Sequence, residues 1–270
     1  MILKYENGAE SAKEIRGIVP LPIRVPSMTV KGSKVILNII ECDVLYDDLI
    51  EDYTSYGTMF ERLFKGVSND SLEVHYQSAI DRALKEPQTN EMYLITGSKF
   101  GAYEDETWIT ELITWVQQAY KAGARLIGVC FGHQIIAQAL GGQVVNSDKG
   151  WGVGIRSLEV KGMPDLDLQK HIPSSLRLIY SHQDQVIQLP AGAHTLLSDD
   201  FCPYGGFYID KQIITFQGHP EFDAEYTQRL LGRRAENIGL ERFETAMAAI
   251  NGEIDNIAVA EYLLEWMQPV

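Results

Sequence analysis

From Lys34 onward the chain alternates between apolar runs of strand length and stretches with helical spacing. Val35 to Ile40 is nearly continuous in apolar residues, the composition of a strand buried on both faces of a parallel sheet. Between Asp47 and Phe64, Leu49, Tyr53, Met59, Phe60, Leu63 and Phe64 fall near helical spacing, and Gly57 divides the pattern into two expected shorter helices. Leu72 to Tyr76 reads as a second strand and Ala79 to Leu84 as a short helix; Met92 to Ile95 reads as a third strand that runs into Thr96, Gly97 and Ser98. Asp105 is the expected N-cap of a helix reaching Ala122, in which Trp108, Leu112, Trp115 or Val116, and Ala119 recur three or four apart and Gly123 supplies the stop. Arg125 to Ile127 is again strand-like, and His133 to Leu140 is helical through Ile135, Ile136, Ala139 and Leu140 before Gly141 and Gly142. Strand and helix in succession predict an α/β fold: a doubly wound, mostly parallel sheet flanked by helices on both faces.

The pattern changes after Gly142. Val144–Val145, Ile155 to Val160, Leu176 to Tyr180, Val186 to Leu189, Thr195 to Leu197, Phe207 to Ile209 and Ile213 to Phe216 are short strand-like runs separated by Gly, Pro and Asp. They predict a mixed or antiparallel strand extension to the sheet. Tyr226 to Ile250 and Ile257 to Met267 return to helical periodicity. Residues 1–32 fit neither pattern, and Pro20, Pro22 and Pro26 argue against a helix there, so an extended arm is expected ahead of one domain spanning 33–270.

Composition narrows the function classes. With 37 acidic against 23 basic residues the formal net charge is −14, and no Lys or Arg cluster interrupts the balance, so no nucleic-acid partner is expected. Cys42, Cys130 and Cys202 are widely spaced and odd in number, which points away from a disulfide framework or a zinc site and toward a reducing compartment. Lys4 and Glu6 stand where a signal peptide needs its apolar core, and no run approaches the ~20 apolar residues of a membrane span. A cytoplasmic protein without a membrane partner is therefore expected. The glycine-rich pieces lack phosphate-loop spacing, and neither a metal nor a cofactor is anticipated.

Two motifs carry candidate chemistry. Cys130 stands between Gly128 and Gly132 where a strand turns into a helix, a Gly-x-Cys-x-Gly elbow. A lone cysteine at a strand end is more often a small buried hydrophobe. Here the glycines permit a strained turn and close approach of neighbouring segments, and a helix starting after the cysteine supplies N–H groups that suit a developing oxyanion. Far downstream, Gln217, Gly218, His219, Pro220 and Glu221 follow the strand-like run Ile213 to Phe216. Ligands of α/β sheets bind outside the carboxyl ends of the strands, so the two motifs can meet there, with a base at 219 and its orienting acid at 221. Pro220 confines His219 to extended backbone and makes the second motif a stiff loop.

GVCFGHQ together with GHPE resembles the class I, triad-type glutamine amidotransferases, over about Val35 to Leu231. The stretch Tyr56 to Phe60, the loop at Thr96 to Ser98 and Ser181 to Val186 are similar to free-standing γ-glutamyl peptidases and to the glutaminase domain of GMP synthetase. The resemblance implies Cys130 as nucleophile, His219 as general base and Glu221 as its orienter, with backbone amides of Gly97 or Ser98 and of Phe131 forming an oxyanion hole. It implies that Gln134 places the glutamyl group and that the loop of His182, Gln183 and Asp184 faces its α-amino and carboxylate groups, Asp184 pairing with the ammonium. Trp151 is a candidate wall of the pocket. The implied reaction is cysteine-dependent hydrolysis of the γ-glutamyl amide bond of glutamine or of a γ-glutamyl conjugate, through a thioester. Two alternatives stand beside it: a glutaminase subunit delivering ammonia to a separate synthase partner, and a non-catalytic binding protein on the same fold.

Overall fold

The structure, a computed structural model, describes residues 35–68, 72–89, 91–164 and 172–268. The expected N-terminal arm lies outside them. Among the described residues, β1 (Val35–Glu41), β2 (Leu72–Ser78), β3 (Met92–Ile95), β4 (Arg125–Val129) and β11 (Ile213–Phe216) form a parallel half-sheet in the order β2-β1-β3-β4-β11. The sheet continues antiparallel through β10 (Gly206–Ile209), β9 (His194–Ser198), β6 (Gly152–Val160) and β7 (Ser175–His182) to nine strands. A separate antiparallel pair joins β5 (Gln143–Asn146) to β8 (Asp184–Gln188). The fold is thus an α/β sheet with a parallel core and an antiparallel extension, as the sequence pattern predicts.

Alternation along the strands decides which helix covers which face. Leu37, Ile39, Ile127, Val129, Ile214 and Phe216 bury one face against α2 (Tyr56–Val67) and α7 (Asn256–Trp266). Ile40, Tyr93, Leu126 and Ile213 bury the other against α3 (Thr107–Lys121) and α4 (Phe131–Ala139). Each fully buried Leu or Ile contributes about 1.5–3 kcal/mol relative to exposure, so strands buried on both faces dominate the stability of this sheet. None of the described helices is long and apolar enough to cross a membrane.

Four local expectations are corrected. The helix expected over Ala79 to Leu84 is a turn: Ala79 N donates to Glu41 O, Ala83 N to Ser78 O, and Arg82 takes the left-handed conformation at φ 55°, which a right-handed helix excludes. The helix break near Gly57 lies earlier, at Thr54 (φ 65°), between α1 (Asp47–Tyr53) and α2; Ser55 caps α2 by accepting from Thr58 N at 3.1 Å, and Gly57 N donates to Glu41 Oε1 at 2.8 Å. Glu106, not Asp105, is the N-cap of α3, without a side-chain capping bond. The helix expected across Tyr226 to Ile250 is two, α5 (Ala224–Ile238) and α6 (Leu240–Ala249), parted at Gly239 (φ 87°), and Asp223 caps α5 by accepting from Tyr226 N at 2.7 Å.

Candidate active site

The carboxyl ends of three neighbouring parallel strands carry the motifs. β3 delivers Gly97 and Ser98, β4 delivers Cys130, and β11 delivers His219. Cys130 has φ 53° and ψ −103°, a conformation L-residues avoid, whose cost of roughly 1–3 kcal/mol persists only where surroundings enforce it. They do so here through Cys130 N donating to Phe216 O at 2.8 Å, Gln134 N to Cys130 O at 3.1 Å and Gly132 N to Thr96 O at 3.1 Å. The flanking glycines are needed for space. A Cβ on Gly132 would lie 2.1 Å from Ile95 O, and one on Gly128 2.5 Å from Gly132 O.

His219 is fixed from every side. Its N–H donates to Ile179 O at 2.7 Å in an isolated antiparallel bridge, a link from β11 across to β7, and Pro220 stiffens the next step. Its Nδ1 donates to Glu221 Oε1 at 2.7 Å, and both residues are buried. The ring stacks on Phe222 at 3.8 Å between centroids and 7° between planes, while a Cβ on Gly97 would come within 3.0 Å of Cε1 on the ring. Burial opposes a charge on this imidazole, but the Glu221 carboxylate and then Cys130, which also hydrogen-bonds the ring, outweigh it and raise its pKa well above the ordinary value. Cys130, His219, Gly97 and Ser98 line one small pocket.

A sign follows for pH dependence. With the pKa raised, His219 stays protonated through neutral and moderately alkaline pH, and its loss of the proton marks the alkaline side of any activity that needs it as an acid. Glu221→Gln removes one of the charges that raise it. The alkaline limb of kcat/KM is therefore expected to move to lower pH by at least roughly one pH unit, with residual turnover, in stopped assays across pH. An unmoved limb would mean that Glu221 does not set the charge of His219.

The other candidates surround a cavity of about 370 Å³ that opens over Cys130 and includes Ser98, Gln134, Trp151, His182, Gln183 and Asp184 in its lining. Gln134 is buried, and its Nε2 is committed to Asp184 O at 2.9 Å and to Gln217 Oε1 at 3.0 Å, which leaves its carbonyl oxygen for any ligand. His182 hydrogen-bonds Asp184 O through Nδ1 at 2.9 Å, and burial lowers its pKa to about 4; burial takes His133 down to about 3. Both stay neutral near pH 7, which separates them from His219. Gln183 Nε2 donates to Asn146 Oδ1, and Asp184 Oδ1 accepts from Asn146 Nδ2 at 2.9 Å and Tyr103 OH at 3.1 Å. Among the described residues, the amides of Gly97, Ser98 and Phe131 donate to no other group. Cys42 and Cys202 are fully buried, and burial pushes both thiols up, Cys202 to about 12.

Sequence reasoning missed several residues of the small pocket and of the cavity. Phe222 follows the Gly218 to Glu221 motif directly, and an aromatic beside a histidine loop carries no signal of a stack by itself. Tyr103 and Lys99 lie in loops without periodicity, and Asn146 ends the four-residue strand β5, too short to mark a site. Arg234 had a legible signal: on α5 it continues the four-residue spacing of the buried Tyr226 and Leu230, with buried Ile238 next, so a cation occupies the inward stripe of an amphipathic helix.

These features define a cysteine, histidine and glutamate constellation on a doubly wound sheet, and the chain belongs to the class-I glutamine amidotransferase family, whose model matches residues 49–234. It is 29% identical to a glutamine amidotransferase-like protein of Schizosaccharomyces pombe, over 82% of this chain and 91% of that protein. It is 30% identical to gamma-glutamyl peptidase 4 of Arabidopsis thaliana, over 67% of this chain and 73% of that one. Among solved structures it shares the fold of a glutamine amidotransferase from Thermotoga maritima, with a TM-score of 0.69 and 18% identity over 87% of this chain and 99% of the other.

Proposed function

We propose that this protein hydrolyses the γ-glutamyl amide bond of glutamine or of a γ-glutamyl conjugate through a thioester on Cys130. The observation that carries the reading is the meeting of Cys130, at a strained strand-to-helix elbow, with an imidazole that Glu221 holds at 2.7 Å in one pocket. Membership of the family and the name of the Arabidopsis relative, a gamma-glutamyl peptidase, support the same chemistry.

In this reading the proton of the Cys130–His219 pair already rests on the imidazole, and the Cys130 sulfur attacks the γ-carbonyl carbon as a thiolate. The carbonyl oxygen takes the negative charge among the amides of Phe131 and of Gly97 or Ser98. His219 returns the proton to the leaving nitrogen, the C–N bond breaks, and a γ-glutamyl thioester remains. A water then adds to the thioester carbon with His219 as base; glutamate leaves and the thiol is restored. Glu221 keeps the imidazole oriented and favours its charged form throughout. Gln134, His182, Gln183 and Asp184 shape the glutamyl side of the cavity, and Trp151 walls it.

The purified chain, incubated alone with glutamine and with a panel of γ-glutamyl peptides and without ATP, metal or partner, is expected to release glutamate. If the γ-glutamyl peptides stay intact and glutamine is cleaved only once a synthase and its substrates are added, the chain is instead an ammonia-donating subunit.

A further inference from the structure

Three cations, Lys99, Arg233 and Arg234, stand at the mouth of the cavity in a chain of formal net charge −14. Two are already paired: Lys99 with Asp43 at 2.9 Å, and Arg233 with Asp48. Arg234 is different. It is half-buried, and among the described residues no carboxylate forms an ion pair with it. Its Nη1 donates to Ser181 Oγ at 2.9 Å, and its guanidinium lies over the Trp151 ring at 5.7 Å. A hydroxyl and an aromatic face thus hold the group in place while leaving most of its five N–H donors unspent.

The chemistry of the pair beside it says which part of a substrate it meets. A general acid must face the leaving nitrogen, so the leaving group lies on the His219 side of the sulfur. Arg234 lines both the small pocket, with Cys130 and His219, and the large cavity, whereas Gln134 and Asp184 line the large cavity alone, which places the guanidinium where the two spaces meet beside His219. Past Lys99 and Arg233 the cavity adjoins a further hollow walled by Val44, Tyr46, Asp47 and Asp48, the last paired with Arg233, which gives room for far more than ammonia.

We infer that Arg234 is a specificity-determining residue that receives a carboxylate on the leaving group, so that the preferred substrates are γ-glutamyl amino acids or γ-glutamyl dipeptides with a free C-terminus. This rests on the hydrolase reading above and narrows it. Glutamine, which releases ammonia, leaves Arg234 without its anion. A planar guanidinium with free donors matches a carboxylate in two parallel bonds, a match a lysine reproduces as a point charge alone.

The test compares kcat/KM for two pairs of probes, γ-glutamylalanine against its C-terminal amide and γ-glutamylalanylglycine against its amide. The wild-type chain is expected to favour the acid in at least one pair by roughly 10- to 100-fold, the range of charge-assisted hydrogen bonds. In Arg234→Met that ratio should collapse toward one, and Arg234→Lys should restore part of it. Because the readout is a ratio within one variant, a general loss of activity does not mimic it. A wild-type ratio near one in both pairs, or a ratio that Arg234→Met leaves intact, overturns the role of Arg234 while the hydrolase reading stands. Cleavage of none of the four probes and of no glutamine overturns the hydrolase reading, and this inference with it.

Discussion

Cys130→Ala is expected to abolish turnover, a loss on the order of 10⁴-fold or more, while the chain keeps its fold. Cys42 and Cys202 offer no substitute, because both thiols are sealed in the core and pushed up by burial. His219→Ala should be nearly as damaging, and the double variant little worse than either single one, because a nucleophile and its base act as one unit. Strictly multiplicative losses would argue against a shared step. The elbow adds a stability test to the kinetic one. Alanine keeps the penalty of φ 53°, whereas glycine relieves it, so Cys130→Gly should unfold at a higher denaturant concentration than Cys130→Ala although both are inactive.

Gly132→Ala is expected to cost about 3 kcal/mol, at the upper end of overpacking effects. The added methyl would sit 2.1 Å from Ile95 O, which is backbone and cannot swing aside as a side-chain tip does. Relief requires β3 and α4 to separate, which breaks the bond from Gly132 N to Thr96 O at 3.1 Å and displaces the loop that carries Gly97 and Ser98. Activity should therefore fall with stability. Gly232→Ala is the control: on the exposed side of α5, with nothing within 4 Å, it should be neutral or stabilising by about 0.5–1 kcal/mol. Urea unfolding of both variants decides the matter, and a Gly132→Ala chain as stable as the wild type would mean that the elbow is not packed against β3.

Much of this architecture was legible because the inner strands of the parallel core, unlike the half-exposed edge strand β2, are buried on both faces and so read as nearly continuous apolar runs. Val35 to Ile40, Met92 to Ile95 and Ile213 to Phe216 needed no tertiary information. Where the sequence misled, the decisive partner lay far along the chain or the backbone overrode a weak pattern. The run from Ala79 to Leu84 has helical composition, yet its first amide is claimed by Glu41 in the neighbouring strand. Gly239 looks like a tolerated glycine within a helix until its φ of 87° is seen.

At the site, the glycine bracket and the His-Pro-Glu loop pointed to three residues that do share one sheet edge. The rest depended on contacts between distant segments. Phe222 stacked on His219 and the web joining Asp184 to Tyr103 and Asn146 have no local signature. Gln134, expected beside the glutamyl group, spends its amide on structural bonds to Asp184 and Gln217, a division of labour that only the packing of α4 against β8 and β11 reveals. Arg234 lay between these cases: its place on the apolar stripe of α5 could be read from spacing, but not the cavity it faces.

The account turns on a covalent intermediate at one sulfur. Acid quenching during turnover of a γ-glutamyl peptide, followed by intact-mass measurement and peptide mapping, should show one glutamyl group in thioester linkage on the peptide that contains Cys130. The adduct should be absent from Cys130→Ala. Turnover without any adduct, or an adduct on Cys42, Cys202 or another side chain, would contradict it.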